Sequence, residues 1–435
     1  MYMLFGKDSF RKKNMGKYVI GYELGKGHVQ ISYQKIGDKE PQTVSLVAEQ
    51  EQYNIPLALY KQEDKNLWYI GKEAITKSEE LGGVLLTDLL VNACIEEQVE
   101  LNLEVYDWAA LLALYVKRSL HYLSFITSLE KIAGIMFTVD NLDEHTVEVL
   151  RKMVEYLQLP HITILFCGKE ESFFYYNLHT DPSLWSNQVV LYDMQQNTLE
   201  SYSLSLNRAT KPIVTLIQKK EYGEFLAAEE SPTSEEEKKL WDETFLQYVQ
   251  EDMENKIVST VYLIGEGFQG EWYQKSVRYL CSKRRVFLGN NLYSKGACYG
   301  FLDKMDPGEL SASYVYLGTD KLKANVGMEL LRQGAPSYLA ILDGGSSWYD
   351  GKKEWDMILE EDNRIVLKIV PLDGKNVTRT EIVLHGLQLQ KMPYCRIHVE
   401  GYMETPNQFK LKIWDKGFGD FYESSGQYWE EIITL

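Results

Sequence analysis

The stretch KIAGIMFTVDNLDEHTVEVLRKMVEYLQLPHITILFC, residues 131–167, decides the fold class. Residues 131–139 are apolar but for Lys131 and Thr138 and of strand length, as expected of a strand buried on both faces. DNLDEHTVEVLRKMVEYLQL follows with acidic residues ahead of a 3.6-residue apolar repeat. That is an amphipathic helix whose first turn favours negative charge through the helix dipole. HITILFC, 161–167, is the next strand. Strand–helix–strand at this spacing is a βαβ crossover, so a parallel sheet covered by helices is expected.

Towards the N-terminus, YDWAALLALYVKRSLHYLSFITS (106–128) has helical periodicity, with Asp107 placed to cap it. YVIGYELGKGHVQISYQK (18–35) reads as an apolar strand, a turn at Gly25-Lys26-Gly27 and a returning strand, hence a hairpin. Another strand is expected near 44–50, and LWYIGKEA (67–74) reads as a strand running into a turn. Towards the C-terminus, QVVLYDMQQNTLESYSL (188–204) repeats the hairpin layout. In each hairpin an acid closes the first strand, Glu23 in one and Asp193 in the other, which suggests two related half-domains. The acidic segment 226–240 reads as an exposed loop leading into a helix that runs to about residue 250. STVYLIGEGFQGEW (259–272) is a buried strand ending in a glycine turn, and helices follow at about 270–283 and 291–303. Past Asp306-Pro307-Gly308, residues 337–435 alternate with period two between turn residues, the pattern of an antiparallel β-sandwich.

The charge balance excludes some functions. The chain has 435 residues, with Lys+Arg 46 against Asp+Glu 63 and a net charge of −17. A nonspecific grip on nucleic acid or anionic lipid needs clustered positive charge, so neither partner is expected. The five cysteines are scattered and never in CxxC spacing, which suits reduced thiols in a cytoplasmic protein. The longest apolar run, AALLALYV at 109–116, is too short to span a bilayer. The N-terminal MYMLFGKDSFRKKN puts its apolar clusters before its basic ones, the reverse of a secretory signal. The seven histidines include no HExxH pair, and neither GxSxG nor GxxxxGK[ST] occurs.

Two acid-tipped hairpins, a βαβ crossover and a late glycine turn, in this order, resemble the actin, sugar-kinase and heat-shock ATPase superfamily. The C-terminal region resembles the substrate-binding β-domain of DnaK-type (heat shock protein 70 kDa) chaperones. METPNQFKLKIWDKGFG (403–419) is similar to that family's DxNGxLxVxAxDKxTG, including Asp415, Lys416 and Gly419. DMILEEDNRIVLKIVPLDGKN (356–376) looks like its paired strands around an Asp-Asn turn, and LHGLQ (384–388) looks like its LxGIP. The resemblance covers nearly the whole chain and points to a divergent bacterial branch.

That resemblance implies an α/β fold: a two-lobed actin-like (duplicated ribonuclease H-like) ATPase unit over 1–305, with lobes at about 16–185 and 186–305. A linker over 306–336 and a lidless antiparallel β-sandwich over 337–435 would follow. The implied ligand is ATP or ADP with magnesium. IGYELGKG (20–27) is similar to the first phosphate hairpin, giving Glu23 a catalytic and magnesium-binding role and Gly25, Lys26 and Gly27 a phosphate-binding one. VLYDMQQNT (190–198) is similar to the second, with Asp193 catalytic and magnesium-binding and Thr198 catalytic. There Gln195, Gln196 and Asn197 stand where the family has glycines. LIGEGF (263–268) looks like the adenosine turn, with Gly265, Glu266, Gly267 and Phe268; Glu266 replaces a glycine. Gly296 fits the family's glycine-bearing helix.

The family's catalytic lysine has no counterpart in LLTDLLVNACIEEQVELNLE (85–104), and CGKEESFFYY (167–176) matches its glutamate-bearing NEPTAAAL only loosely. A weakened nucleotide site is therefore implied, with ATP hydrolysis left open. The expected function is a DnaK-like chaperone that binds a peptide or protein client through 337–435. The alternative is a pseudo-ATPase scaffold, and a small-molecule kinase is the third reading.

Overall fold

The computed structural model describes residues 9–435 apart from 48–49, 64, 196–197, 225–231, 233, 290, 361, 373–374, 388–393 and 420–422. The protein is mixed α/β with several sheets, in two compact units, one ending at Tyr316 and one running from Leu317 to Leu435.

The first unit is built on two six-stranded sheets. In the first, the hairpin strand Tyr18–Leu24 is central, antiparallel to its return strand His28–Lys35 and parallel to Ile132–Val139. Thr163–Gly168 adds a further parallel strand beyond Ile132–Val139. The second sheet repeats that order and those directions: Gln188–Gln195 is antiparallel to Thr198–Asn207 and parallel to Val258–Ile264, with Arg285–Leu288 parallel beyond. All eight residues of Ile132–Val139 are buried, as an apolar strand at a parallel position requires. The crossover helix Glu144–Leu157 is capped by Asp143, whose Oδ1 accepts from Thr146 N–H at 2.8 Å, and buries Val147, Leu150, Met153 and Leu157. The helix Trp108–Ser119 starts on Asp107, whose Oδ1 accepts from the N–H groups of Ala109 and Ala110 at 2.7 and 3.2 Å.

The helix Leu292–Met305 joins the two halves. It packs on the first sheet through Ala297, Cys298, Phe301 and Leu302, which share a core with Val19, Ala133 and Met136. This approach needs a strand with no side chain beneath it. A Cβ at Gly21 would lie 1.9 Å from the Ser294 carbonyl oxygen. Gly21→Ala is therefore expected to cost about 1–3 kcal/mol through overpacking. Urea denaturation measures it, and wild-type stability would count against so close a contact.

Several expectations change. Only Trp68–Ile70 of the 67–74 segment is a strand, because Gly71, at φ +62°, turns the chain directly into the helix Gly71–Glu80. In place of a strand near 44–50, the short strands Gln42–Thr43 and Ile55–Pro56 on either side of it pair with the return strand of the first hairpin. The second hairpin continues into a third strand, Ile213–Glu224. The late helices are Gln274–Cys281 and Leu292–Met305. Tyr314–Tyr316 pairs in parallel with Ile213–Glu224, so the start of the expected linker belongs to the first unit. Its remainder holds Ala324–Arg332, a strand of the second unit.

The second unit has two four-stranded antiparallel sheets. Burial alternates along Arg364–Pro371 (Ile365, Leu367, Ile369) and Gln408–Gly417 (Phe409, Leu411, Ile413), the period-two pattern of the sequence. The 356–376 segment is not a hairpin. Lys352–Glu360 pairs with Tyr394–Thr405, whereas Arg364–Pro371 pairs with Ala324–Arg332 and Thr378–Val383 in the other sheet. The Asp-Asn turn therefore carries the chain between sheets. Tyr394–Thr405 and Gln408–Gly417 do form the expected hairpin. Asp415 is buried and accepts from the N–H groups of Gly417 and Ser425 at 2.8 and 2.7 Å. Gln388, the end of LHGLQ, lies outside the described residues. Among the described residues no helix is long and apolar enough to cross a membrane.

Candidate functional site

The two hairpins place their acids equivalently. Glu23 is the sixth residue of its strand, opposite Gln30; Asp193 is the sixth of its own, opposite Glu200. Strands flanked by parallel neighbours expose their ends together, and here the ends deliver four ionisable side chains. Asp140 directly follows Ile132–Val139, and Lys169 opens the helix Lys169–Leu178 directly after Thr163–Gly168. With Lys26, His28 and Gln195, three of these (Asp140, Lys169 and Asp193) line a cavity of about 410 Å³. Glu23 is only 2% exposed and does not line it.

Lys169 is the hub. Its Nζ lies 2.7 Å from Asp140 Oδ1 and 3.4 Å from Asp193 Oδ2, and 5.3 Å from the centroid of the Tyr293 ring. The same Asp193 oxygen accepts from Tyr293 Oη at 3.1 Å and from Gln195 Nε2 at 3.4 Å. Asp193 Oδ1 is buried and has no hydrogen-bond partner among the described residues.

The electrostatics follow from burial and these distances. Burial opposes the Lys169 ammonium, but Asp140, Asp193 and Glu23 outweigh it and hold its pKa well above 10.5. Burial alone would raise Asp140; the adjoining Lys169 ammonium, with Lys26 and Lys219, keeps it below the ordinary carboxylate value. Burial wins at Asp193, which is raised despite Lys169. It wins by more at Glu23, pushed up to about 8, with Asp193 and Asp140 adding to burial and Lys169 opposing it. At neutral pH Glu23 is therefore mostly a neutral acid. Burial also lowers His28.

The remaining sequence candidates divide. Lys26, Gly27, Gln195, Thr198 and Glu266 line the cavity. Gly25 closes the first turn, its N–H donating to the His28 carbonyl at 3.0 Å. Gly265 has φ +98°, and a Cβ there would lie 2.2 Å from the Met194 carbonyl oxygen. Gly267 packs against the Met194 side chain. Phe268 belongs to the core instead, its ring centroid 5.3 Å from Phe245 and 5.9 Å from Trp272. Gly296 is a helix-packing glycine, where a Cβ would meet the Ser172 carbonyl oxygen at 2.1 Å. Gln196 and Asn197 lie outside the described residues. Glu266 accepts from Asn54 Nδ2 at 2.6 Å, and Asn54 Oδ1 accepts from Gln30 Nε2 at 2.5 Å. This chain of amides ties the glycine turn of the second half to the first hairpin.

Sequence reading missed Asp140 and Lys169. A signal was present: each is a charged residue directly after an apolar strand, fully buried before Asp140 and half-buried before Lys169, close to the criterion that singled out Glu23 and Asp193.

The implied magnesium does not fit this set. Among the described residues no three His, Cys, Asp or Glu side chains form a metal-holding group. The point where Asp140 and Asp193 converge holds an ammonium, and Glu23 keeps its proton at neutral pH. The lining also carries five carboxylates (Glu51, Asp140, Asp193, Glu200, Glu266) against three lysines (Lys26, Lys72, Lys169), an adverse field for a polyphosphate.

A model of a family of unknown function (DUF5716), C-terminal, matches residues 40–319, and a model of a domain of unknown function (DUF8552) matches residues 321–435. The two matches meet near the Tyr316/Leu317 division. No curated protein matches the chain.

Proposed function

We propose, for a chain that belongs to DUF5716, a family of unknown function, that it is a divergent DnaK-like pseudo-ATPase: a two-lobed, actin-like scaffold whose cleft does not turn over ATP. Its β-unit is the candidate surface for a peptide or protein partner. The shared strand order and directions of the two sheets support the duplicated fold. The observation that carries the loss of catalysis is Lys169, 2.7 and 3.4 Å from the two carboxylates Asp140 and Asp193. Phosphoryl transfer relies on metal and positioned charge acting as a unit, and altering several parts is severe for turnover.

A DnaK-like chaperone that keeps a weakened nucleotide site is the second reading. Two four-stranded antiparallel sheets in 317–435 favour it, since open strand edges bind extended peptides through main-chain hydrogen bonds. Phosphate release from ATP·Mg²⁺ separates the two. Wild type is expected to match Asp193→Asn at background level. Sustained hydrolysis by wild type that Asp193→Asn abolishes would overturn the pseudo-ATPase.

A further inference from the structure

Asp140 and Asp193 end different sheets, yet their carboxylates meet at one point, and the group at that point is the Lys169 ammonium. We propose that Lys169 is an internal counter-ion standing in the place of a divalent cation, so that this protein's cleft is closed to metal as long as the lysine is present. The inference rests on reading the cavity as a nucleotide-type cleft.

Three features support it. The lysine is anchored: it opens a helix, its side chain is 7% exposed, and the Tyr293 ring flanks it. Swinging it out would strand Asp193, only 2% exposed, without its cation. An ammonium is a compact point charge with three donors, so it neutralises two convergent carboxylates without the six oxygen ligands that magnesium demands. Asp193 Oδ1, buried and unpartnered among the described residues, is a spare acceptor on the same cluster. A Cβ at Gly265 would come within 3.0 Å of it, so the glycine keeps the approach to this oxygen open. Removing the ammonium leaves two carboxylates around a vacated point, with this spare oxygen beside it. Oxygen-only clusters of that kind suit hard divalent cations.

The test uses Mn²⁺ alone as the probe, followed by electron paramagnetic resonance on the full chain. Wild type is expected to leave Mn²⁺ free. Lys169→Ala is expected to bind it at least about tenfold more tightly, with the gain abolished in Lys169→Ala/Asp193→Asn. Thermal melting gives a second readout: Mn²⁺ should raise the midpoint of Lys169→Ala and leave wild type unmoved. If Lys169→Ala does not fold without metal, Lys169→Ser takes its place in both measurements. Mn²⁺ bound by wild type at this cluster, or equal affinity in wild type and a folded lysine variant, would overturn the inference. ATP hydrolysis by wild type would instead sink the pseudo-ATPase reading, whatever the Mn²⁺ result.

Discussion

Lys169→Met is expected to lose about 3–5 kcal/mol of stability at pH 8, the usual penalty for removing one partner of a buried ion pair. Methionine keeps the length and apolar stem of the lysine but not its charge. Asp193 would then sit 2% exposed with, among the described residues, only Tyr293 and Gln195 as hydrogen-bond partners, and Asp140 would lose its contact at 2.7 Å. The loss should shrink towards pH 5, because Glu23, raised to about 8, has taken up its proton there and ceases to draw on the ammonium, and burial shifts Asp193 in the same direction. Urea denaturation at the two pH values measures this. A variant as stable as wild type at pH 8 would mean that the lysine does not hold the cluster together. The exposed pair Lys238–Glu235 is the natural control, since surface pairs of this kind contribute little.

Glu23→Gln should act in the opposite direction and with the opposite pH dependence. Glu23 is raised by burial from its ordinary 4.5 to about 8. Between those values the folded chain binds a proton that the unfolded chain has released. Stability from this group is therefore fully present below about pH 4.5 and is lost as pH rises through 8. Glutamine has the shape of the protonated acid and nothing to ionise. The stabilities of wild type and Glu23→Gln should coincide near pH 5. By pH 9 they should separate in favour of glutamine by something on the order of 4 kcal/mol. Parallel pH profiles would show that Glu23 ionises as readily in the folded chain as in the unfolded one. The two substitutions touch one electrostatic cluster, so their effects should be non-additive, with Glu23→Gln softening the loss caused by Lys169→Met.

Much of the architecture was legible in the residues because it is written locally. An apolar strand, a capped amphipathic helix and a second apolar strand within 131–167 specify a crossover from their own periodicities. Asp107 was identifiable as a cap because a cap is a short-range hydrogen bond. Glu23 and Asp193 were found because an acid ending an apolar strand breaks a local pattern. Local patterns failed where a partner lay far along the chain. The Asp-Asn turn at 362–363 resembles a hairpin turn, but the pairing of each flanking strand sends them to different sheets. Phe268 and Gly296 sat in motif-like positions, yet one fills a core and the other lets the Leu292–Met305 helix approach Ser172.

The sequence by itself determined the elements, the two related hairpins, the alternation of the C-terminal unit and an acidic net charge that discourages polyanions. Only the tertiary structure decided the character of the cleft. Asp140, Lys169 and Asp193 are separated by tens of residues, and no local spacing relates them. Parallel pairing puts the ends of the strands before Asp140 and Lys169 side by side, Asp193 reaches the same ammonium from the end of a strand in the other sheet, and burial there makes an ammonium between carboxylates a matter of several kcal/mol rather than a solvated surface pair.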